Sequence, residues 1–169
     1  MLRYIRNFRV IVAARIKEAL EKLRRVKLEA SDGEITIKER YRLKPSSYTV
    51  NVPLIVFDII NNKKKVIGKI EYRDGFNDDI YLLGNVGYHI NERYRGNNSA
   101  YKACKLLFEI IKIEFLKEEV FITCSPDNIA SYKTLTKLNG EFVELKQVPN
   151  DHFLRRMNEN EKCIFKYYL

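Results

Sequence analysis

Apolar residues at Ile5, Phe8, Val12, Ile16, Ala19, Leu23 and Val26 step by three and four, which predicts an amphipathic helix within residues 1–29. The stretch 8–13 also reads as a strand. Ser31-Asp32-Gly33 breaks the helix, and the period then changes to two: Ile35, Ile37, Tyr41 and Leu43 alternate as a strand does. Pro45-Ser46-Ser47 turns the chain. YTVNVPLIVFDII (48–60) is rich in β-branched and aromatic residues, and Asn61-Asn62-Lys63 joins it to VIGKIEYRD (66–74) as a hairpin. A polar loop, 74–79, leads into YLLGNVGYHI (81–90), read as a further strand. An antiparallel meander is the expected result.

From residue 99 the helical period returns. Ala100, Ala103, Cys104, Leu107, Phe108, Ile111 and Phe115 mark a helix over 99–116, with Leu106, Ile110 and Ile113 making it apolar enough to pack on a sheet. EEVFITC (118–124) reads as a short buried strand. A strand, helix and strand of this length imply a right-handed crossover to a parallel neighbour, so the sheet is expected to be mixed. Ser125-Pro126-Asp127-Asn128 is a helix start, and the helix runs to about 138 before Asn139-Gly140. EFVELKQV (141–148) and EKCIFKYYL (161–169) complete the strands, with a long polar loop between them. No repeat or low-complexity segment interrupts the pattern.

Length and charge narrow this picture. A chain of 169 residues suits one domain with one core. The net charge of +9 is uneven: residues 1–29 hold nine Lys/Arg against three Asp/Glu, and the rest of the chain holds twenty-two against nineteen. The apolar face of this basic helix therefore either covers the domain's own core, its charges in water, or the helix meets a partner, ribosomal RNA or an anionic membrane surface, the core reading being favoured and a nucleic-acid role the weaker idea. No apolar run approaches the ~20 residues needed to span a bilayer, and no signal-peptide layout opens the chain, so a cytoplasmic protein without membrane insertion is expected. Cys104, Cys124 and Cys163 are odd in number and set among apolar residues, which suits reduced thiols. With only His89 and His152 beside them, no metal site is expected.

The candidate chemistry lies in GYHINERYRGNNSAYKACKLL (87–107), which begins as a strand and ends as a helix. A strand entering a helix through Gly96, Asn97, Asn98 and Ser99 leaves the first-turn N–H groups unpaired, pointing outward with the positive end of the helix dipole. Such a corner binds phosphate. Gly96 admits an anion close to the backbone, Asn tolerates the left-handed conformation, and Arg95 adds a cation. Plain connections of this composition are equally common.

The corner resembles the acetyl-CoA pyrophosphate loop of the GNAT N-acetyltransferase superfamily: Gln or Arg, two residues, Gly, one residue, Gly or Ala. Here it reads Arg95-Gly96-Asn97-Asn98-Ser99-Ala100, with Asn98 where the signature has its first glycine. Downstream, ITCSPDNIASYKTLTKLNG is similar to the superfamily's segment in which an Asn opens a helix after the fifth strand and a Ser follows three residues later. Asn128, Ser131, Lys137, Leu138 and Gly140 take those places, with Asn139 inserted before the glycine. Residues 66–85 look like the third and fourth strands. The likeness runs from about residue 50 to the end and is greatest to bacterial members.

The resemblance implies an α/β fold of GNAT type: a mixed, mostly antiparallel sheet, helices on both faces, and a splayed parallel strand pair that takes acetyl-CoA. It implies cofactor contacts from the main chain of Tyr88, His89 and Ile90, from Arg95, Gly96, Asn97, Asn98, Ser99, Ala100 and Tyr101, and from Asn128 and Ser131. A main-chain N–H in the stretch 88–90 would polarise the acetyl carbonyl, an effect of roughly 3 kcal/mol per donor in other acyl transfers. The carboxylate base frequent on the family's fourth strand is replaced by Gly84-Asn85, leaving Glu71 and Glu92 as candidates and His89 as a weaker one. The thiolate-protonating Tyr is replaced by Leu135, with Tyr132 one turn earlier and Ser131 near the thiol. The implied activity is direct transfer of acetyl to a primary amine, on a small molecule or a protein. The alternative is a non-catalytic CoA-binding or protein-interaction module. Two exposed C-terminal strands could pair in a homodimer.

Overall fold

The computed structural model describes residues 27–169. The amphipathic helix expected within residues 1–29 lies outside the described residues except at its end, where Glu29 already belongs to a strand. β1 (Glu29–Ser31) and β2 (Ile35–Leu43) form a hairpin whose turn is built by Asp32. The Asp32 carboxylate accepts the amides of Glu34 at 2.9 Å and Ile35 at 2.8 Å. β3 (Leu54–Asn61) follows, later than the strand expected from residue 48, because residues 47–49 form a 3-10 turn and Val50 and Asn51 take positive φ. β4 (Val66–Arg73) closes the next hairpin around the Asn61 carboxamide, which accepts the amides of Lys63 and Lys65, both at 3.0 Å.

The polar stretch expected to lead directly into a strand holds a helix instead, α1 (Asp78–Leu83). Asn77 caps it, accepting the Ile80 amide at 2.8 Å, and Asp78 and Asp79 sit favourably in its first turn. The strand is thereby shortened to β5 (Val86–Ile90). Then come α2 (Ser99–Glu114), β6 (Glu119–Cys124), α3 (Ile129–Lys137), β7 (Glu141–Gln147) and β8 (Glu161–Tyr168). The loop between β7 and β8 contains a 3-10 turn, Phe153–Met157, pinned by the buried Leu154.

The strands form two sheets, five strands in the order β1-β2-β3-β4-β5 and three in the order β6-β8-β7, with every pairing antiparallel. α2 buries Ala103, Cys104, Leu107, Ile110 and Ile111 against Ile37, Phe57, Ile59 and Ile70, which are wholly buried or nearly so. Helices cover both faces of the smaller sheet. On one face Leu135 of α3 meets Ile122, Phe165 and Tyr167, whose hydroxyl donates to the Leu135 carbonyl at 2.9 Å. On the other, Thr123 donates to the α1 carbonyl of Leu82 at 2.9 Å and the Tyr81 ring packs on Phe121. This is a mixed α/β fold. No helix among the described residues is long and apolar enough to cross a membrane.

β5 and β6 are the parallel neighbours that the crossover predicts, but they do not form a ladder. They touch at one point. The Asn85 amide donates to the Phe121 carbonyl at 2.7 Å, and the Asn85 carboxamide oxygen accepts the Phe121 amide at 2.9 Å. The same side chain donates to the carbonyls of Arg73 at 3.1 Å and Gly75 at 2.8 Å, so a buried Asn satisfies itself while fastening the two sheets together. Gly84 lies against this joint with φ +83, and a Cβ there would stand 3.1 to 3.2 Å from backbone atoms of residues 121–123. Gly84→Ala is therefore expected to cost about 3 kcal/mol through strain and strand displacement, lowering Tm by roughly 6–12 °C in a thermal melt.

A second fixed point lies at the far edge of the larger sheet. Glu39 is buried, accepts the Leu28 amide at 3.1 Å and holds the Arg42 guanidinium in two contacts of 2.8 and 2.7 Å. Desolvation pushes its pKa up, but the bonds from Arg42 and Leu28 outweigh it and leave the carboxyl below its ordinary value. A depressed carboxyl stabilises the fold above its unfolded-state pKa, and that stability is lost as pH falls through the folded value. Glu39→Ala is expected to cost about 2–3 kcal/mol at pH 7, less than a fully buried pair because Arg42 keeps some solvent contact, and to flatten the acid limb of a Tm-versus-pH curve.

Candidate active site

Beyond the Asn85 joint the two sheets part, and between them opens a cleft of about 700 Å³. One end is the N-terminus of α2. Gly96 takes φ +83, Asn98 is left-handed at φ 56, and the first intrahelical bond is from the Lys102 amide to the Asn98 carbonyl. The first-turn amides of residues 99–101 thus have no intrahelical acceptor. Asn98, which would ordinarily cap them, turns its carboxamide oxygen to Lys137 of α3, 2.9 Å away. Lys137 also lies over the Tyr101 ring at 4.9 Å, so a cation is fixed beside the helix start. Space is left for an anion: a Cβ on Gly96 would have nothing within 4 Å.

The middle of the cleft runs along β5. Val86, Tyr88 and Ile90 face α2, while Gly87 and His89 face the other way beside Glu71 and Lys69, their register partners on β4. The Tyr88 hydroxyl lies 2.9 Å from Ser131 Oγ on α3. Burial raises the Tyr88 phenol to about 12. Asn128 caps α3 by accepting the Ser131 amide at 3.1 Å, which leaves its carboxamide nitrogen as a donor. Cys124 lies beside Ser131 on the cleft wall, and burial pushes its thiol up to about 11, as an unreactive structural thiol would be.

The side of the cleft away from α2 carries charge. Glu71 and Arg73 form an ion pair against Gly87, whose missing Cβ would lie 2.8 Å from the Glu71 carboxylate. Glu159 and Lys162, from the loop before β8 and from β8 itself, form a second pair at 2.9 Å.

Of the residues singled out in the sequence, the cleft is lined by Glu71, Tyr88, His89, Ile90, Arg95, Gly96, Asn98, Ser99, Ala100, Tyr101, Asn128 and Ser131. Three sit apart. Asn97 folds back onto the carbonyls of Tyr94 and Arg95, both at 3.3 Å. Tyr132, considered as a proton donor, is turned to the Phe165 ring at 5.4 Å. Glu92 is exposed and pairs loosely with Arg95 at 3.7 Å. The site also includes three features that local motifs do not reveal. Asn85 creates the joint, the Tyr88 side chain occupies the polar position that Tyr132 was expected to fill, and Glu159 arrives from a loop read only as polar. Only the register of β5 and the path of residues 149–160, both tertiary, place the last two.

An antiparallel sheet joined at one point to a second sheet, with a helix start facing the resulting gap, is a mixed α/β architecture with an open cleft between its two sheets. The chain belongs to the GNAT acetyltransferase family: the acetyltransferase (GNAT) domain profile matches residues 14–141, more than half of the chain. No curated protein sequence matches it. Among solved structures it is similar to a GNAT-family acetyltransferase from Bacillus anthracis (19% identity, 67% of this chain and 65% of that chain, TM-score 0.54). It is similar also to the ribosomal-protein-S5-alanine acetyltransferase from Vibrio fischeri (16% identity, 72% and 64%, TM-score 0.54). A third likeness is to the microcin C7 self-immunity acetyltransferase in complex with acetyl-CoA and AMP (15% identity, 69% and 61%, TM-score 0.52). The chain spans a little under two thirds of the length of these proteins.

Proposed function

We propose that the protein transfers acetyl from acetyl-CoA to a primary amine by direct attack within a ternary complex. The observation that carries this reading is the gap between β5 and β6, pinned at Asn85 and Phe121 and ending at the open amides of α2. The residues present suit the co-substrate: amides at 99–101 with Arg95 and Lys137 for the diphosphate, unpaired β5 main chain for the pantetheine amides, and the Asn128 carboxamide nitrogen as a further donor. When bound, acetyl-CoA supplies an activated thioester.

The chain's own groups supply the rest. An N–H of β5 polarises the acetyl carbonyl. Glu71, on the side of the cleft away from α2, takes the proton released when the amine nitrogen bonds to the acetyl carbon. Ser131 and Tyr88 stabilise the departing sulfur on the opposite side. The acceptor is an amine of a small molecule or of a protein. Calorimetric uptake of acetyl-CoA followed by thiol release with a panel of amines tests this reading. Tight uptake with no turnover on any amine would instead support a non-catalytic CoA-binding module.

A further inference from the structure

Lys69, Glu71 and Arg73 stand in a row on the face of β4 that points away from α2, and the residues beside the first two on β5 are His89 and Gly87. Gly87 leaves a notch at the middle of the row, because a Cβ there would lie 2.8 Å from the Glu71 carboxylate. Lys69 and His89, one step along, are both exposed. Alternate residues of a strand lie about 7 Å apart on one face, so a group at that distance from the acceptor nitrogen reaches Lys69 while the nitrogen is at Glu71.

The charges on this side do not balance. Arg73 is paired with Glu71, Lys162 with Glu159 at 2.9 Å, and Arg40 with Asp58 at 3.2 Å. Asp58 is the carboxylate directly across the ladder from Lys69, and Arg40 already engages it. Each of these carboxylates thus has its own cation, and Lys69 is left without a carboxylate partner among the described residues. Most exposed lysines do no more than keep a surface hydrated. This one is the uncompensated charge of the wall, one residue pair from the proposed base, where its field acts on whatever approaches Glu71.

We propose that Lys69 selects the acceptor, and that the acceptor is a primary amine bearing an anionic group about 7 Å from its nitrogen. This rests on the transferase reading above and names the substrate class for it. The Lys69 ammonium donates to the anion, and the exposed His89 imidazole beside it supplies a further N–H. An acceptor with a second cation at that place meets Lys69 as like charge.

The test uses the full chain with acetyl-CoA and three amines of like length that end in a carboxylate, a methyl and an ammonium: γ-aminobutyrate, pentylamine and putrescine. Thiol release is read. The expected kcat/KM is at least about 10-fold higher for γ-aminobutyrate than for pentylamine, and lowest for putrescine. Lys69→Ala, at an exposed position, raises the KM for γ-aminobutyrate by about 10-fold, leaves pentylamine within about twofold and leaves the Kd of acetyl-CoA unchanged. Lys69→Glu reverses the order and puts putrescine first. Added salt narrows the native preference. A tripeptide amide beginning with Glu and its Gln counterpart repeat the comparison at an α-amine, and the set with the higher kcat/KM identifies the source of the anion as a small molecule or a protein N-terminus. If the native chain shows no preference for the anionic member of either set, or keeps that preference in both Lys69 variants, the assignment falls while transfer stands. Uptake of acetyl-CoA with no transfer to any amine sinks the transferase reading and this inference together.

Discussion

Gly96→Asp is expected to weaken acetyl-CoA binding by roughly 100-fold, with Tm lowered by only a few degrees through left-handed backbone strain of about 1 kcal/mol. The glycine has φ +83 and its absent Cβ would stand in open space, so a side chain there disturbs no packing and projects where the diphosphate is to lie. A carboxylate at that point repels the diphosphate and competes for the amides of residues 99–101. Losing about two charge-assisted hydrogen bonds, at roughly 1.5 kcal/mol each, accounts for the factor. Gly96→Ala separates the causes: backbone strain and lost close approach without charge are expected to weaken binding only about 10-fold. Titration calorimetry with acetyl-CoA reads both. If Gly96→Asp bound as tightly as the native chain, the diphosphate would lie elsewhere and the proposed site would fall with it.

The corner at residues 95–99 was legible because its signals are local. Arg95, Gly96 and the Asn pair sit where a period of two gives way to a period of 3.6, and both the open amides and the positive φ of Gly96 follow from that junction. β3, β4 and α2 were legible because apolar residues recur along them in the step of a strand or a helix and are buried there. The misreadings occurred where short-range bonds outweigh pattern. Residues 48–53 look β-prone, yet Thr49 bonds the backbone of Ser46 and Val50 takes a positive φ, which holds them in a turn. Residues 78–79 read as loop and 81–83 as strand because Tyr81 and Leu82 are apolar, yet the Asn77 cap and two first-turn acids make 78–83 helical. The expected parallel ladder is reduced to one rung because the Asn85 side chain, rather than a run of backbone pairs, ties β5 to β6.

Glu71 and Ser131 were candidates in the sequence, but the Tyr88 hydroxyl beside Ser131 was not, and the reason is parity. On β5 each residue faces opposite its neighbour, so a shift of one place exchanges which side chains meet α3 and which meet β4's charged pair. The motif aligned Leu135 with the proton donor expected on the helix, and Leu135 is wholly buried in the core. The hydroxyl that does reach Ser131 comes from β5, where only main-chain contacts were expected.

Tyr88→Phe is accordingly expected to lower kcat by roughly 10- to 100-fold while leaving the Kd of acetyl-CoA within about threefold, the signature of a bond that strengthens as charge develops on sulfur. The magnitude of the phenol's shift decides how it acts. Raised to about 12 by burial, it is a far weaker acid than a thiol of ordinary pKa ~8.5. Full proton transfer from Tyr88 to the departing thiolate would be uphill by about 5 kcal/mol, so a hydrogen bond, relayed through Ser131 at 2.9 Å, is the contribution that remains. A phenol with its pKa near 12 stays protonated across the working range, so the native enzyme should show no alkaline fall in kcat below about pH 10 arising from this group. Ser131→Ala should reproduce most of the loss, and the double variant should be little worse than either single one, because the two hydroxyls act as one chain. A pH–kcat profile with an alkaline limb near pH 8 to 9 that vanishes in Tyr88→Phe would overturn this account, since it would make Tyr88 a titrating acid and not a fixed donor.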